Sequence, residues 1–163
     1  MKIKLGLIVC LLVSGVLHAQ KPVTVECSVG EGVGTTIQLF GVDKGEKKVL
    51  ASASYNQNGY YGFSFIPKYE GFYVVGDGRL YEYPLYLKAG DAVSLFMDKD
   101  TVYLTGKHNT AENKVLYEWV NLSKRVCEKS TYFMRVRNST YEDFFPDFEA
   151  LLAKTEPFCK SIK

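Results

Sequence analysis

Short runs in which apolar and polar residues alternate fill the first two thirds of the chain. Because successive side chains of a β-strand point to opposite faces, a period of two predicts strands with one buried face. The predicted strands are residues 23–29, 35–40, 49–55, 60–66, 72–75, 80–87, 92–96 and 101–104. Short strands at this regular spacing predict a mostly β fold, either an antiparallel β-sandwich or a small barrel.

The most regular alternation lies in Leu85–Phe96. Its two halves flank Ala89-Gly90-Asp91, where glycine tolerates a positive φ and aspartate can hydrogen-bond its own backbone. The pattern predicts an antiparallel hairpin in the middle of the sheet. A second hairpin is predicted at Asn58-Gly59, a dipeptide favoured in two-residue turns, and residues 41–48 are predicted to be a polar turn.

After Gly106 the period changes from that of a strand to that of a helix. Asn109 followed by Glu112 has the form of a capping box, in which the first side chain caps the helix. Apolar residues then repeat at helical spacing and predict one face that packs on the sheet. These residues are Val115, Leu116, Trp119, Val120, Leu122 and Val126. Trp119, the only tryptophan, lies in the middle of this stripe and is expected to anchor the helix to the sheet.

A second helix is predicted after a break at Asn138-Ser139. Residues 140–143 would cap it, and Pro146 lies close enough to its start to be tolerated. Its stripe consists of Phe144, Phe148, Leu151, Thr155 and Phe158. Helices over about 110–137 and 140–160 predict an α-helical hairpin whose phenylalanines form the seam between the two helices.

Residues 1–19 have the pattern of a signal peptide. Two lysines precede an uncharged apolar run, Leu5–Leu17, and Ala19 ends the segment with the small residue that signal peptidase requires. The apolar run is shorter than the roughly 20 residues that a membrane-spanning helix needs. We therefore expect cleavage before Gln20 and a mature protein that is periplasmic or secreted.

The predicted mature chain, residues 20–163, has the length of one domain. Residues 20–107 are predicted to form the antiparallel β domain, and residues 108–163 a helical hairpin packed on it as one structural unit. Removing residues 1–19 takes away two lysines and leaves 18 basic residues against 18 acidic residues. A net charge of zero gives no electrostatic reason to expect nucleic acid or an anionic membrane as a partner, and no stable membrane insertion is expected.

Residues that carry most catalytic and metal chemistry are scarce. The mature chain contains Cys27, Cys127 and Cys159, none of them in a CxxC motif, and a single histidine, His108. We therefore expect no catalytic residue, no cofactor and no metal site. In an antiparallel helical hairpin Cys127 and Cys159 would lie about 12 Å apart along the axis, too far for a disulfide, whereas a break near Ser130 would bring them together.

Aromatic residues are dense in the strands between Tyr60 and Tyr86. One interpretation is an aromatic platform for a sugar. The other is that these residues form the core and rim of the sheet, since tyrosine and phenylalanine favour strands on their own account. The second interpretation is the simpler one, and the first remains open.

Four motifs occur in one succession along the chain. They are Tyr61-Gly-Phe-Ser-Phe65 after an Asn-Gly pair, Pro84-Leu-Tyr-Leu-Lys-Ala-Gly-Asp91, Leu104-Thr-Gly106, and Ala111-Glu-Asn113 followed by Trp119. This succession, over about residues 22–160, resembles the N-terminal domain of unknown function that precedes the thioredoxin domain in TlpA-like periplasmic thiol-disulfide oxidoreductases of Bacteroidetes-type bacteria. Ala89 stands where that family usually has proline, and Asn58 where it usually has aspartate.

The resemblance implies a periplasmic, non-catalytic accessory or interaction domain. In the family the redox-active CxxC lies in the thioredoxin domain, and no position of this chain matches it, so no catalytic residue is carried over. The expected partner is a thioredoxin-like domain, another periplasmic protein or a second copy of the chain. The alternative function is a small-molecule or glycan-binding module that uses the tyrosine-rich strands, while an independent thiol oxidoreductase is disfavoured by the missing CxxC.

Overall fold

The computed structural model describes residues 21–162 apart from 31, 32, 34, 56–58, 80, 99, 100, 107 and 136–140, and does not describe the side chains of 131–135, 141 and 143. The predicted signal peptide and the predicted helix break at Asn138-Ser139 lie outside the described residues. The described elements are β1 Val23–Val29, β2 Thr36–Asp43, β3 Glu46–Ser54, β4 Tyr61–Phe65, β5 Gly71–Gly76, β6 Glu82–Leu87, β7 Ala92–Met97, β8 Val102–Leu104, α1 Ala111–Arg135 and α2 Tyr141–Ser161.

The strands form two four-stranded sheets that stack face to face. Sheet I has the order β4-β1-β7-β8, and sheet II has the order β3-β2-β5-β6. Neighbouring strands are antiparallel except β1 and β7, which are parallel. The predicted sandwich followed by a helical hairpin is confirmed. The small barrel is wrong for the described strands, because each sheet keeps two edge strands.

The hydrophobic core lies between the sheets and consists of side chains at alternate strand positions. They are Val23, Val25, Cys27, Ile37, Leu39, Tyr61, Phe63, Tyr73, Val75, Leu85, Leu87, Val93, Leu95, Met97 and Val102. Full burial of each large aliphatic or aromatic side chain stabilises the fold by roughly 1.5–3 kcal/mol before entropy is counted. The period of two therefore identified the buried face of the strands that supply these residues, whereas β3 has no buried residue.

The predicted hairpin at Leu85–Phe96 is wrong. β6 pairs with β5 at the edge of sheet II, whereas β7 lies inside sheet I between β1 and β8. The turn at Gly90, with a φ of +87°, carries the chain from one sheet to the other. Pro84 in β6 accounts for the edge position, because proline has no N–H to donate and is tolerated where one side of a strand has no partner strand.

The two-residue hairpin turn of sheet II lies instead at Lys44-Gly45. Both residues have positive φ, +52° and +83°, as a type I′ turn between β2 and β3 requires. The predicted polar turn over residues 41–48 was too wide, because its other residues belong to β2 or β3. The predicted hairpin at Asn58-Gly59 is also wrong, since β3 and β4 belong to different sheets; Asn58 itself lies outside the described residues.

Helix α1 closes the side of the sandwich on which β6 and β8 are edge strands. The Asn113 side chain is fully buried; its Oδ1 accepts a hydrogen bond from Tyr86 N at 2.9 Å, and its Nδ2 donates to Tyr86 O at 2.7 Å. One turn earlier, Asn109 Oδ1 accepts from Ser94 N at 2.9 Å and its Nδ2 donates to Thr105 O at 2.5 Å. Asn113 on sheet II and Asn109 on sheet I therefore form hydrogen bonds with backbone N–H and C=O groups that no neighbouring strand pairs with.

The cap of α1 is Thr110, not the predicted Asn109. Thr110 Oγ1 accepts a hydrogen bond from Asn113 N at 3.3 Å, and Thr110 O accepts from Lys114 N at 3.1 Å. The Asn109 amide oxygen instead accepts a hydrogen bond from Ser94 N of sheet I. The helix consequently begins one residue later than the capping-box pattern indicates.

The α1 side chain that enters the core is Tyr117, which is 3% exposed. Trp119 is 37% exposed, and its ring lies 5.6 Å from that of Phe158 in α2, so its predicted role as the anchor on the sheet is wrong. Of the predicted apolar stripe, Trp119 meets α2, whereas Leu116 and Val120 pack against the core. The side that meets the sheets combines Tyr117 with Leu116 and Val120.

Helix α2 packs mainly against α1. Asp147 of α2 forms ion pairs with Lys129 and with Arg125 Nε, the latter at 3.0 Å. The hydrogen bond from Lys129, helped by the charge of Arg125, holds the pKa of Asp147 below its usual range. The ion pairs therefore stabilise the fold fully at pH values above the pKa that Asp147 has in the unfolded chain. This stabilisation is lost as the pH falls through the lower pKa of Asp147 in the folded protein. Neither described helix is long and apolar enough to cross a membrane.

We expect Asn113→Ala to lower the free energy of unfolding by about 2–4 kcal/mol, because it leaves the buried N–H and C=O of Tyr86 without their partner. The measurement is the urea midpoint of the mature chain. Asn121→Ala, an exposed position on the same helix, is the matched control and should change the midpoint little. Equal midpoints for the two variants would contradict the role given to Asn113.

Tyr117 allows a second test that separates its ring from its hydroxyl. The buried Oη has no hydrogen-bond partner among the described residues, and burial raises the pKa of this phenol. We therefore expect Tyr117→Phe to leave stability unchanged or to raise it, whereas Tyr117→Ala should cost about 3–5 kcal/mol through the lost burial. Thermal unfolding of both variants decides this, and a large loss in Tyr117→Phe would mean that the hydroxyl is bonded in solution.

Candidate functional site

A cleft of about 560 Å³ lies where the outer face of sheet II meets α1 and α2. Its walls carry Phe72, Tyr86, Val115, Trp119, Phe158 and Ile162. We call this surface the aromatic cleft. Its volume falls within the range of roughly 300–1,000 Å³ that is usual for small-molecule sites, which are also mostly apolar with a few polar groups.

The sheet wall of the aromatic cleft is a cross-strand pair. Phe72 in β5 and Tyr86 in β6 are directly opposite each other, with ring centroids 5.5 Å apart in an edge-to-face arrangement of 82°. Both side chains point outward because Tyr73, Leu85 and Leu87, their neighbours along the strands, face the core. Phe72 is 53% exposed, so much of its ring is available for contact.

The helix wall comes from the seam between α1 and α2. Trp119 and Phe158 stack at a tilt of 35°, and Val115 lies one turn before Trp119. Ile162, just after the end of α2, completes this wall and is exposed. The site therefore combines side chains from a sheet and from both helices, so its geometry depends on how the helices dock.

The rim of the aromatic cleft is polar. Lys88 Nζ lies 2.6 Å from Glu112 Oε1, and Tyr86 Oη donates to Glu70 Oε1 at 3.1 Å. The shared hydrogen bond raises the pKa of Lys88 and lowers the pKa of Glu112, so both groups are charged at neutral pH. The rim can therefore donate hydrogen bonds to a ligand and accept them from it.

The walls and the rim of the cleft offer two kinds of contact. Ring faces in the walls can stack on an apolar surface, and the charged rim can bond hydroxyl groups at the edge of that surface. A sugar ring has this division, with C–H groups on one face and hydroxyl groups around its edge. Among the side chains that line the cleft, none is a thiol or an imidazole.

Three tyrosines of the predicted sugar platform have structural roles instead. Tyr61 and Tyr73 are buried, and their hydroxyls donate to Thr35 O at 3.2 Å and to Tyr69 O at 2.9 Å. Tyr83 Oη donates to Asp98 O at 3.2 Å. Desolvation raises the pKa of each of these three phenols. Of the aromatic residues in these strands, Phe72 and Tyr86 line the aromatic cleft, together with residues of the two helices.

The alternation of the strands indicates that Phe72 and Tyr86 lie on the outer face, but it does not show that they lie next to each other. Phe72 and Tyr86 are out of phase with the buried positions of their strands, so alternation places both on the outer face. Their proximity depends on the pairing of β5 with β6, and the contribution of Trp119 depends on which face of α1 meets the sheet. Ile162 carried no signal of its own, since it lies beyond the regular stripe of α2.

The described cysteines do not form a thiol site. Cys27 is fully buried, and desolvation followed by the charge of Glu26 raises the pKa of its thiol. Cys127 and Cys159 are exposed on different helices, and none of the three forms a disulfide. The contacts of Asp147 with α1 place it level with Cys127, so Cys159 lies twelve residues further along, or about 18 Å away along the axis.

The chain matches no protein-family model and no curated protein sequence. Among solved structures it is similar to the carbohydrate-binding module CBMbc (family CBM26) of Eubacterium rectale Amy13K in complex with maltoheptaose, at 18% identity over 54% of this chain and 51% of that one, with a TM-score of 0.38. Two candidate cell adhesion proteins are also similar. The one from Bacteroides ovatus is 11% identical over 55% of this chain and 45% of that one, with a TM-score of 0.30. The one from Bacteroides fragilis is 16% identical over 56% of this chain and 45% of that one, with a TM-score of 0.29.

The match thus spans about half the length of each of these proteins. Likenesses with TM-scores below 0.5 establish neither a shared family nor a shared function. What the chain binds has to be inferred from its own surface.

We expect a thiol reagent to modify Cys127 and Cys159 rapidly in the folded mature protein and to reach Cys27 only on unfolding. The reason is the burial of Cys27, which removes access and disfavours the reactive thiolate. Mass spectrometry after timed alkylation, without reductant, measures this. A disulfide-linked peptide containing Cys127 and Cys159, or rapid modification of Cys27 in the folded state, would contradict the helix register and the core.

Proposed function

We propose that the protein is a non-catalytic binding module and that the aromatic cleft takes a small ligand of the glycan class. The observation that carries this proposal is the exposure of Phe72 and Trp119 within one cleft whose rim is charged. An exposed ring costs free energy in water unless something covers it, and a stacked sugar face removes that apolar area.

Hydrogen bonding at the rim would give the site its selectivity. A ligand seated on Phe72 can place hydroxyl groups near the Lys88–Glu112 pair. Hydrogen bonds to charged groups are about twice as strong as those between neutral groups. A purely apolar ligand would leave these charges partly desolvated, so the rim favours ligands with hydroxyl groups at the edge.

The second candidate function is an accessory or interaction domain that acts beside a thioredoxin-like domain in the periplasm. The resemblance to the TlpA-associated domain supports it, and so do Phe145 and Leu152, which are exposed on the outer side of α2. On either proposal the protein is exported and starts at Gln20. N-terminal sequencing of the periplasmic fraction tests that shared expectation.

The test of the glycan proposal is a glycan-array screen of the folded mature protein, followed by calorimetric titration of the ligands found. Phe72→Ala should weaken binding by about tenfold or more, since it removes one stacking surface, equivalent to about 1.4 kcal/mol. Phe72 is preferred to Trp119 as the test position because Trp119 also packs against α2.

The matched control is Tyr103→Ala, which removes an exposed ring from β8 of sheet I, away from the cleft. It should leave affinity unchanged. An array without a ligand, or equal affinities for the Phe72 and Tyr103 variants, would contradict the proposal.

A further inference from the structure

The side chains at the rim of the aromatic cleft carry more negative than positive charge. Lys88 supplies a positive charge, and the carboxylates of Glu112, Asp91 and Glu70 all act on it. Glu112 is ion-paired with Lys88, and Glu70 accepts the hydrogen bond of Tyr86 Oη. One ammonium group therefore lies among three carboxylates, which leaves an excess of two negative charges in this group of four side chains.

The ends of the two helices do not change this balance. α1 begins at the cleft, with Ala111 and Glu112 in its wall, and a helix N-terminus carries roughly half a positive charge. α2 ends at the cleft, just before Ile162, and a helix C-terminus carries roughly half a negative charge. Lys160, in the last turn of α2, is paired with Glu156. The helix ends offset each other, so the rim side chains decide the sign of the field.

The walls of the cleft add a second attraction for a positive charge. Phe72, Tyr86 and Trp119 all line it, and Phe72 and Trp119 are exposed. The face of an aromatic ring is negative because of the ring quadrupole, so it attracts a cation that lies within about 6 Å of the ring centre. The rings and the rim carboxylates therefore favour a ligand with the same sign of charge.

Building on the glycan function proposed above, we infer that the sugar bound in the aromatic cleft carries a protonated amino group. The C–H face of such a sugar covers Phe72, its hydroxyl groups bond to Lys88, and its ammonium group meets the carboxylates of the rim. A neutral sugar lacks the last of these contacts. An acidic sugar brings a negative charge to a rim that is already negative, and like charges oppose association.

The test compares short oligomers of cellulose, chitin and chitosan, which share one backbone and one linkage. They differ at a single carbon of each sugar, which bears a hydroxyl group, an acetylated amine or a free amine. An oligomer of glucuronic acid with the same linkage is the acidic member of the set. Binding is measured by calorimetry with the folded mature protein at about pH 6, where the sugar amines are protonated and exposed carboxylates are ionised.

The chitosan oligomer should bind about tenfold more tightly than the cellulose and chitin oligomers, because it alone carries ammonium groups. The glucuronic acid oligomer should bind at least about tenfold more weakly than the cellulose oligomer. Both differences should shrink at high ionic strength, because salt screens the charges at the rim. Phe72→Ala should weaken the chitosan oligomer as well, since the rings are part of the same site.

Two variants assign the preference to the rim. Glu112→Gln removes a carboxylate and releases Lys88 from its ion pair, so the preference for chitosan over cellulose should fall about tenfold. Glu70→Gln keeps an oxygen that can accept from Tyr86 Oη and should lower the preference by a smaller factor. The matched control is Glu118→Gln, which removes an exposed carboxylate of α1 outside the cleft and should leave the preference intact. Circular dichroism confirms that each variant is folded.

Equal affinities for the chitosan and cellulose oligomers would overturn the inference while the glycan proposal stands, and so would equal losses of preference in the Glu112 and Glu118 variants. Trilysine is the control for charge alone. If it competes with the chitosan oligomer at equal concentration, the cleft recognises an ammonium group and not an amino sugar. If no member of the set binds, the amino sugar is excluded, and the glycan array then decides separately whether the glycan proposal survives.

Discussion

The fold depends on the hydrogen bonds between Asn113 and the backbone of Tyr86. β6 is an edge strand, and its Tyr86 N–H and C=O would be buried under α1 without partners if the Asn113 amide did not bond both of them. A carboxamide has a donor and an acceptor at the spacing of a peptide group, so it replaces a neighbouring strand at that point. Any shorter or apolar side chain at Asn113 would leave both groups desolvated.

These hydrogen bonds also position the candidate site. The backbone of Tyr86 contacts Asn113, while the ring of Tyr86 pairs with Phe72 and its hydroxyl bonds Glu70. One residue therefore joins the docking of α1 to the wall of the aromatic cleft. The same helix turn places Tyr117 in the core and turns Trp119 away from it, toward α2. Burying the tyrosine and exposing the tryptophan are two consequences of one helix orientation.

Local pattern predicted the elements well, and their pairing poorly. Alternation identified the buried face of the strands that supply the core, because it depends only on backbone geometry. A short turn, however, can join strands of one sheet or of two. Gly90 fits both cases, and Pro84 does not distinguish them, because an edge strand can pair with either β5 or β7 on its one bonded side. The predicted turn over residues 41–48 was not narrowed to Lys44-Gly45, because lysine rarely takes positive φ.

The face of α1 that meets the sheets was identified only in part from apolar residues, because Leu116 and Val120 of the predicted stripe pack against the core but Trp119 does not. Its most buried members are Asn113 and Tyr117, and an apolar count gives the amide no weight. Within the apolar stripe, Trp119 contacts Phe158 of α2 and not the sheets. A buried asparagine is recognised only when the backbone groups it satisfies are known, and these belong to residues about 27 positions earlier in the chain.

The composition of the aromatic cleft has a thermodynamic consequence. Phe72 and Tyr86 belong to sheet II, whereas Phe158 and Ile162 belong to the α2 end, and α2 packs mainly on α1. A ligand that touches both walls makes all its contacts only when α2 is docked on α1. Docking of α2 therefore raises the affinity for the ligand, and binding of the ligand stabilises the docked state by the same free energy. The ion pairs of Asp147 are part of that docking. Protonation of Asp147 at low pH, which loosens α2, would therefore also weaken a ligand that contacts Phe158.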